Sequence, residues 1–283
     1  MSGKLFICGT PIGNLEDVTL RLLRVLAEVD VIAAEDTRRT RKLLTAHSIT
    51  NKLVSFHEQN ERSQTPRLIA WLMSGKRIAL VTDGGMPAIS DPGYRLVKAC
   101  VDADVSIELV PGPSAVVSAL AISGLPTARF SFEGFLPRKQ GDLAKRLHAI
   151  ADDDRTLVFF EAPDRLAATL TAMLGVFGTR RAAIAREMTK AHEQVIRGTI
   201  DSLIEHIDEI DLRGEATLVV EGASYVAATL DSAVEQARVL IESGMGKSKA
   251  AQEAAKLTGV GRRQIYEALL QPAANGSQSG PVG

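Results

Sequence analysis

Eight short runs of branched or apolar residues punctuate this chain, at residues 4–8, 29–34, 53–56, 77–81, 105–110, 156–160, 182–186 and 217–220. Between them lie stretches with helical periodicity, such as 17–28, 66–74 and 93–103. This alternation is the strongest constraint on the fold. Parallel strands need a long crossover, and helices supply it, so the chain reads as α/β with a largely parallel sheet. Ligands in such sheets gather beyond the carboxyl ends of the strands. Function is therefore sought in the residues that follow each run. With 283 residues, 45% of them hydrophobic, the chain can bury a sizeable core and has the length of about two domains.

A boundary is expected near residues 113–124. The segment 125–154 reads as a connection plus one helix, and a second α/β block follows it. A third unit begins near Asp231, with helices expected at 232–242, 249–257 and 262–270. Ser248 is the expected N-cap of the middle helix, and Thr258-Gly259 forms a turn. Three short helices with a glycine turn suggest a helix-turn-helix. Residues 271–283, rich in Gly, Ser and Pro, are expected to be a disordered tail.

Charge narrows the partners. Lys and Arg number 33 and Asp and Glu 34, so any surface for nucleic acid must be a local patch. Residues 247–270 carry Lys247, Lys249, Lys256, Arg262 and Arg263 against Glu253 and Glu267. That balance fits a nucleic-acid contact and equally a helical dimerisation or capping module. Cys8 and Cys100 form no CxxC pair, and the five histidines have no metal-ligand spacing. A reduced compartment and no metal are expected. The apolar stretch 5–8 is too short for a signal-peptide core, and no run approaches the roughly 20 apolar residues that span a bilayer.

Several loops carry chemistry. Run 77–81 leads into Thr82-Asp83-Gly84-Gly85-Met86-Pro87, then Ala88-Ile89-Ser90-Asp91-Pro92-Gly93. Paired glycines permit close backbone approach, and Asp83 can accept hydrogen bonds from an amine or a ribose; a plain tight turn is the bland alternative. Ser114, after Pro111-Gly112-Pro113, can open a helix whose free N–H groups hold a carboxylate, or be an ordinary N-cap. Gly9 and Gly13 lack GxGxxG spacing, and Pro11 removes an N–H that a phosphate would want. Glu35 and Asp36 nevertheless sit where a dinucleotide fold places its ribose-binding acid. Polar clusters at 35–42, 57–61 and 186–190 are each readable as solvated helix starts, and together as the lining of a polar cleft.

Taken in order, these loops resemble those of the tetrapyrrole-methylase-like, or class III, methyltransferases. The carrying motifs are Gly9-Thr10-Pro11-Ile12-Gly13-Asn14-Leu15, Ala34-Glu35-Asp36-Thr37-Arg38, Phe56-His57-Glu58, Ser90-Asp91-Pro92-Gly93-Tyr94, Pro111-Gly112-Pro113-Ser114, Phe132-Glu133-Gly134-Phe135-Leu136-Pro137, Ala185-Arg186-Glu187-Met188-Thr189-Lys190 and Gly214-Glu215. They are most similar to the branch that methylates the ribose 2′-oxygen of a cytidine in 16S small-subunit ribosomal RNA. Gly85-Met86 departs from the family's usual Gly-Thr and forfeits a hydroxyl contact.

The resemblance implies two α/β lobes of the tetrapyrrole methylase type, at 1–116 and 117–225. A helix-turn-helix-like unit at 230–271 and a tail at 272–283 follow. S-adenosyl-L-methionine would lie in the cleft between the lobes, against Pro11, Asp83, Gly84, Gly85, Met86, Pro87, Ser114 and Ala115, and against Phe160, Glu161, Arg186 and Thr217 of the second lobe. Glu187 or His57 would take the proton of the attacking hydroxyl, ahead of Glu35 and Asp36. Lys190, Arg186 and Arg38 would hold phosphate or stabilise the developing alkoxide. Arg38 and Arg39, with Lys247, Lys249, Arg262 and Arg263, would grip RNA backbone. The resemblance further implies a homodimer, while the cysteines and the lack of a spanning apolar run lead to the expectation of a cytoplasmic location and no membrane partner. Three rival readings stand at this point. One is a class III enzyme acting on a tetrapyrrole or other small molecule, one a nicotinamide- or flavin-dependent oxidoreductase, and one a DNA-binding regulator with a ligand-sensing α/β part.

Overall fold

A computed structural model describes residues 3–207, 214–224 and 229–270. The expected tail lies outside those residues. The chain divides into two compact units, 1–223 and 224–283, and the first contains two five-stranded sheets.

The first sheet comprises β1 (Lys4–Cys8), β2 (Val31–Ala34), β3 (Leu53–Ser55), β4 (Arg77–Val81) and β5 (Ser106–Val110) in the order β3-β2-β4-β1-β5. All four pairings are parallel. Residues 5–8, 31–34 and 78–81 are buried on both faces, the continuous apolar pattern of a sheet covered by helices on two sides. On one face Phe6, Cys8, Ile32, Ala34, Ala79 and Val81 pack with α1 (Leu20–Glu28) and α2 (Thr37–Ala46). On the other, Leu5, Ile7, Ala33, Ile78 and Leu80 pack with α3 (Glu61–Met73) and α4 (Tyr94–Asp102). β1 leads leftward in the sheet to β2, and β4 leads across β1 to β5. The crevice at the carboxyl ends of β1 and β4 is therefore the topological switch point.

Three local expectations are corrected. The helix expected from residue 17 begins at Leu20, because the Thr19 hydroxyl accepts from Leu22 N–H and caps it there. α3 begins at Glu61, with Pro66 inside its second turn; a proline so near the helix start removes only one internal bond. Ser114 occupies the N-cap position of α5 (Ala115–Ser123) but makes no side-chain cap bond.

The second sheet corrects the largely parallel expectation. It comprises β6 (Phe130–Phe135), β7 (Thr156–Glu161), β8 (Arg181–Arg186), β9 (Gln194–Thr199) and β10 (Ala216–Val220), in the order β6-β7-β10-β8-β9. Only β6–β7 is parallel; the other three pairings are antiparallel. β6, which falls in the stretch expected to be a connection, and β9 are edge strands. Gly134 lies where β6 shifts register against β7, and β9 is largely polar, so neither shows a buried-strand pattern. One face of the sheet packs on α6 (Gln140–Ala149), α7 (Leu166–Phe177) and α8 (Ile200–Glu205). The other is covered by α5, whose Val116, Ala119 and Leu120 pack against Val158, Ala185 and Val219. Residues 115–123 thus lie in a helix that belongs to the second core.

The C-terminal unit is α9 (Leu230–Glu242), α10 (Lys247–Thr258) and α11 (Arg262–Leu270), closed on Ala233, Val234, Ala237, Ala250, Ala251, Ala254 and Ile265. Gly246, not Ser248, is the N-cap of α10. Ser248 lies within the helix, and its Oγ accepts from the Arg262 guanidinium at 3.0 Å, tying α10 to α11.

Candidate active site

A cleft of about 640 Å³ opens at the switch point, within the usual range of ligand pockets, about 300–1,000 Å³. Its first wall is the pair of turns after β1 and β4. Thr10 and Gly85 exchange backbone hydrogen bonds at 2.9 and 3.0 Å, and the Thr10 hydroxyl donates to Thr82 C=O. Gly9 is needed beneath them: a Cβ there would lie 2.6 Å from Met86 Sδ and 2.7 Å from Gly112 N. The Met86 sulfur thus packs over Gly9, where the family's threonine would present a hydroxyl.

The turns after β2 and β4 hold each other through their carboxylates. Glu35 Oε2 accepts Asp83 N–H at 3.1 Å, and Asp83 Oδ1 accepts Asp36 N–H at 3.0 Å. Arg39 Nε lies 3.5 Å from Asp83 Oδ2. Asp91, also in the cleft wall, completes an anionic rim. Burial raises the Glu35 carboxyl above its ordinary value, with the Asp83 N–H opposing. Burial, then the charge of Glu35, pushes Asp91 up to about 7. The loop carrying Asp91 holds two non-glycine residues at positive φ, Ala88 (69°) and Ser90 (62°), a conformation that persists only where its surroundings impose it. Its far end is held by Glu61 of α3, which is 8% exposed and whose Oε1 accepts the N–H groups of Gly93 and Arg95 at 3.0 and 3.1 Å. α4, whose own N-cap Gly93 has no side chain, is thereby capped from another helix.

The second wall comes from the ends of β7 and β10 and from Lys190. Phe160 packs against Phe132 and Phe135, with ring centroids 4.9 and 5.5 Å away. Lys190 Nζ pairs with Glu187 Oε1 at 2.8 Å and Glu215 Oε2 at 3.3 Å. Glu187 Oε1 also accepts Glu215 N–H, and the Lys190 ammonium holds its carboxyl below the ordinary value. Gly214, at φ +89°, has no room for a side chain, because a Cβ would collide with the Glu187 carboxylate. The two walls meet where Asn14 N–H donates to Thr189 Oγ1 at 3.0 Å. The N-terminus of α5, at Ser114, Ala115 and Val116, also faces the cleft. No internal partner exists for the first N–H groups of a helix, so they suit an anionic group.

Of the expected donor contacts, Pro11, Asp83, Gly84, Gly85, Met86, Ser114, Ala115, Phe160, Glu161 and Thr217 line this cleft, and Pro87 and Arg186 do not. Glu161 is 2% exposed and its carboxylate is committed inward, to the Thr169 hydroxyl, Ala162 N–H and Arg165. Arg186 is buried in β8, where its guanidinium donates to Gln194. Of the expected catalytic groups Lys190 and Glu35 line the cleft; Glu187 sits behind Lys190, and His57 and Asp36 fall outside the lining. Arg39 lines the cleft, whereas Arg38 is exposed and clasped to Asp36. Lys247, Lys249, Arg262 and Arg263 are exposed on the C-terminal unit. Asp91, within the Ser90-Asp91-Pro92-Gly93-Tyr94 motif, also lines the cleft, and an acid ahead of Pro92-Gly93 at a strand-end loop is the signal that marks it. Both cysteines are free and buried, and burial lifts the Cys8 thiol to about 12, so neither is a nucleophile.

Residues 4–204 match the family model of tetrapyrrole (corrin/porphyrin) methylases. The chain is 48% identical over 220 residues to a ribosomal RNA small subunit methyltransferase I of Thermotoga maritima, covering 78% of this chain and 99% of the relative. It is 43% identical over 275 residues to the same-named protein of Halalkalibacterium halodurans, covering 95% of each. Among solved structures, uroporphyrin-III C-methyltransferase from Thermus thermophilus, complexed with S-adenosyl homocysteine, shares the fold. Its TM-score is 0.54 at 18% identity, over 77% of this chain and 97% of that one.

Proposed function

The chain belongs to the tetrapyrrole (corrin/porphyrin) methylase family, and on that premise we propose that it transfers a methyl group from S-adenosylmethionine to the 2′-oxygen of a cytidine ribose in 16S small-subunit ribosomal RNA. The observation that carries this reading is the 43–48% identity, over 78–95% of the chain, with relatives named as small-subunit ribosomal RNA methyltransferases.

The residues of the cleft fit the donor. Asp83 and Glu35 offer carboxylates to ribose hydroxyls or an ammonium group, and the start of α5 offers N–H groups to a carboxylate. Ile12, Met86 and Phe160 form apolar surface for an adenine ring. The anionic rim of Glu35, Asp83 and Asp91 suits a cation. When bound, S-adenosylmethionine supplies an electrophilic methyl carbon on a positively charged sulfur.

The protein's main task is then alignment, which contributes roughly 7–11 kcal/mol in favourable cases. Asp91 is the group best suited to accept the hydroxyl proton, since a general base works best with a pKa near the operating pH. Glu187 is poorly suited to that role, because Lys190 and Glu215 N–H stabilise its charged form. It serves instead, with Glu215, to hold Lys190, whose ammonium stabilises negative charge developing on the attacking oxygen. Arg39 and Lys42 at the cleft lining supply positive charge toward RNA phosphate.

A cytoplasmic homodimer is the expected form. Edge strand β5 leaves Ile107 and Leu109 36% and 54% exposed, apolar surface that a second copy would cover; light scattering on the purified chain tests it. Among the described residues no helix is long and apolar enough to cross a membrane. The function itself is tested by mass spectrometry of 16S ribosomal RNA from cells lacking this protein. One cytidine should lose its ribose methyl group and regain it on rescue; an unchanged RNA would refute the reading.

A further inference from the structure

The chain's single tryptophan lies on α3, away from the cleft lining, and gathers three cations. The Arg67 guanidinium lies 4.5 Å from the Trp71 ring centroid, Lys76 Nζ 4.9 Å and Lys52 Nζ 5.5 Å. They come from three places: Arg67 from α3 itself, Lys76 from the turn into β4, and Lys52 from the residue before β3. Trp71 is half-buried against the core under α3, so the indole is a fixed anvil for three long side chains. Among the described residues, none of the three cations is paired with a carboxylate. The acids at this end of the sheet are already engaged, Asp30 by Arg77 N–H and Glu28 by the Arg77 guanidinium.

Ring quadrupole attraction explains why each cation stands there, but it does not cancel the repulsion among the three. An anion placed among them would. From this we infer that the Trp71 cluster is an accessory docking patch for the phosphodiester backbone of the RNA substrate, an inference that rests on the ribosomal RNA reading above. Charge complementarity names the occupant. The chain as a whole is nearly neutral, with a formal charge of −1, and RNA affinity depends on local positive patches that neutralise phosphates. The cluster lies at the amino ends of β3 and β4, and the cleft at the carboxyl end of β4. The five residues of β4 separate the two by about 17 Å, so a bound RNA can reach both. Because the aromatic holds the cations in place beforehand, less side-chain freedom is lost on docking. The ring face is already occupied by cations, so the patch grips backbone and does not read bases.

The test uses the full chain and the double variant Arg67→Ala/Lys76→Ala. Neither residue belongs to the cleft, and calorimetry with S-adenosylmethionine checks that donor affinity, and hence the fold, is retained. Affinity for unmodified small-subunit ribosomal RNA is measured across a salt series. The variant should bind about tenfold more weakly at about 0.1 M salt, and its slope against log salt should shrink by about two phosphate contacts. Trp71 emission in the unaltered chain should change on RNA addition, since no other tryptophan contributes. If the variant keeps the affinity and salt slope of the unaltered chain, the patch is overturned while the substrate reading stands. If the unaltered chain neither binds nor methylates this RNA, both fall together. If inorganic phosphate reproduces the emission change and RNA does not, the cluster is only an ion site and the inference fails.

Discussion

Lys190 and Asp91 face the same cleft with opposite demands on charge, and single substitutions separate them. On the proposed mechanism Lys190→Ala removes the ammonium that would stabilise the attacking oxygen, so kcat should fall about 10²-fold. Glu187→Gln, which loosens Lys190 without removing it, should cost less; single-turnover methyl transfer compares the two, and equal losses would assign Glu187 a direct role. If Asp91 accepts the hydroxyl proton as proposed, it should carry the pH dependence of the reaction. Its folded carboxyl titrates near 7 and its ordinary value is 3.8, so the folded state holds the proton more tightly than the unfolded chain does. The stability this contributes is complete below about pH 4 and is lost as pH rises toward and through 7. Asp91→Asn, which mimics the neutral form, should therefore raise the melting temperature at pH 8 by about 2–4 °C and leave it little changed at pH 4. The same variant should lose the rise in methylation rate through pH 7. A wild-type rate flat across that range would remove Asp91 from proton transfer.

At the scale of elements, α3 and α4 are joined by one carboxylate. Glu61 supplies to α4 the cap that Gly93 cannot, and in doing so fixes the end of the loop that carries Asp91. Glu61→Gln keeps one acceptor and should cost about 1 kcal/mol, whereas Glu61→Ala should cost up to about 2 kcal/mol. Urea unfolding measures both, and the two variants should also raise KM for the donor, because the Asp83–Asp91 stretch is then less well held. The sequence marked residues 57–61 as a polar cluster but read it toward catalysis through His57. Glu61's true partners are 32 and 34 residues away in the chain, and no local pattern announces them. The second sheet shows the same limit. β7, β8 and β10 are legible as buried apolar runs, but edge strands β6 and β9 carry mixed residues that look like connecting loops.

For the whole molecule, the division into units 1–223 and 224–283 predicts that proposed donor binding and part of the proposed RNA contact are separable. Exposed Lys247, Lys249, Arg262 and Arg263 lie on the second unit, whose small core is its own. Removing residues 224–283 should leave affinity for S-adenosylmethionine within about twofold, since among the described residues every one that lines the cleft lies before residue 224. RNA affinity should fall by about one phosphate contact for each lysine or arginine that touches backbone. Filter binding and calorimetry on the same preparation read both, and unchanged RNA affinity would make the second unit a structural module.

The amino-acid sequence alone determined that this is an α/β methylase with its chemistry on strand-end loops. Buried strands must be apolar, close-approach turns must be glycine, and both requirements are written locally. The family resemblance of the motifs pointed to the donor-contact residues, and ten of them line the cleft. Tertiary structure decided what depends on distance through space: the antiparallel pairing of the second sheet, the commitment of the Glu161 carboxylate to Thr169 and Arg165, the burial of Arg186 in β8, and the capture of Glu187 by Lys190. It also brought three cations onto Trp71 and three carboxylates to one rim. Charges act on whatever the fold places beside them, and chain order does not record that neighbour.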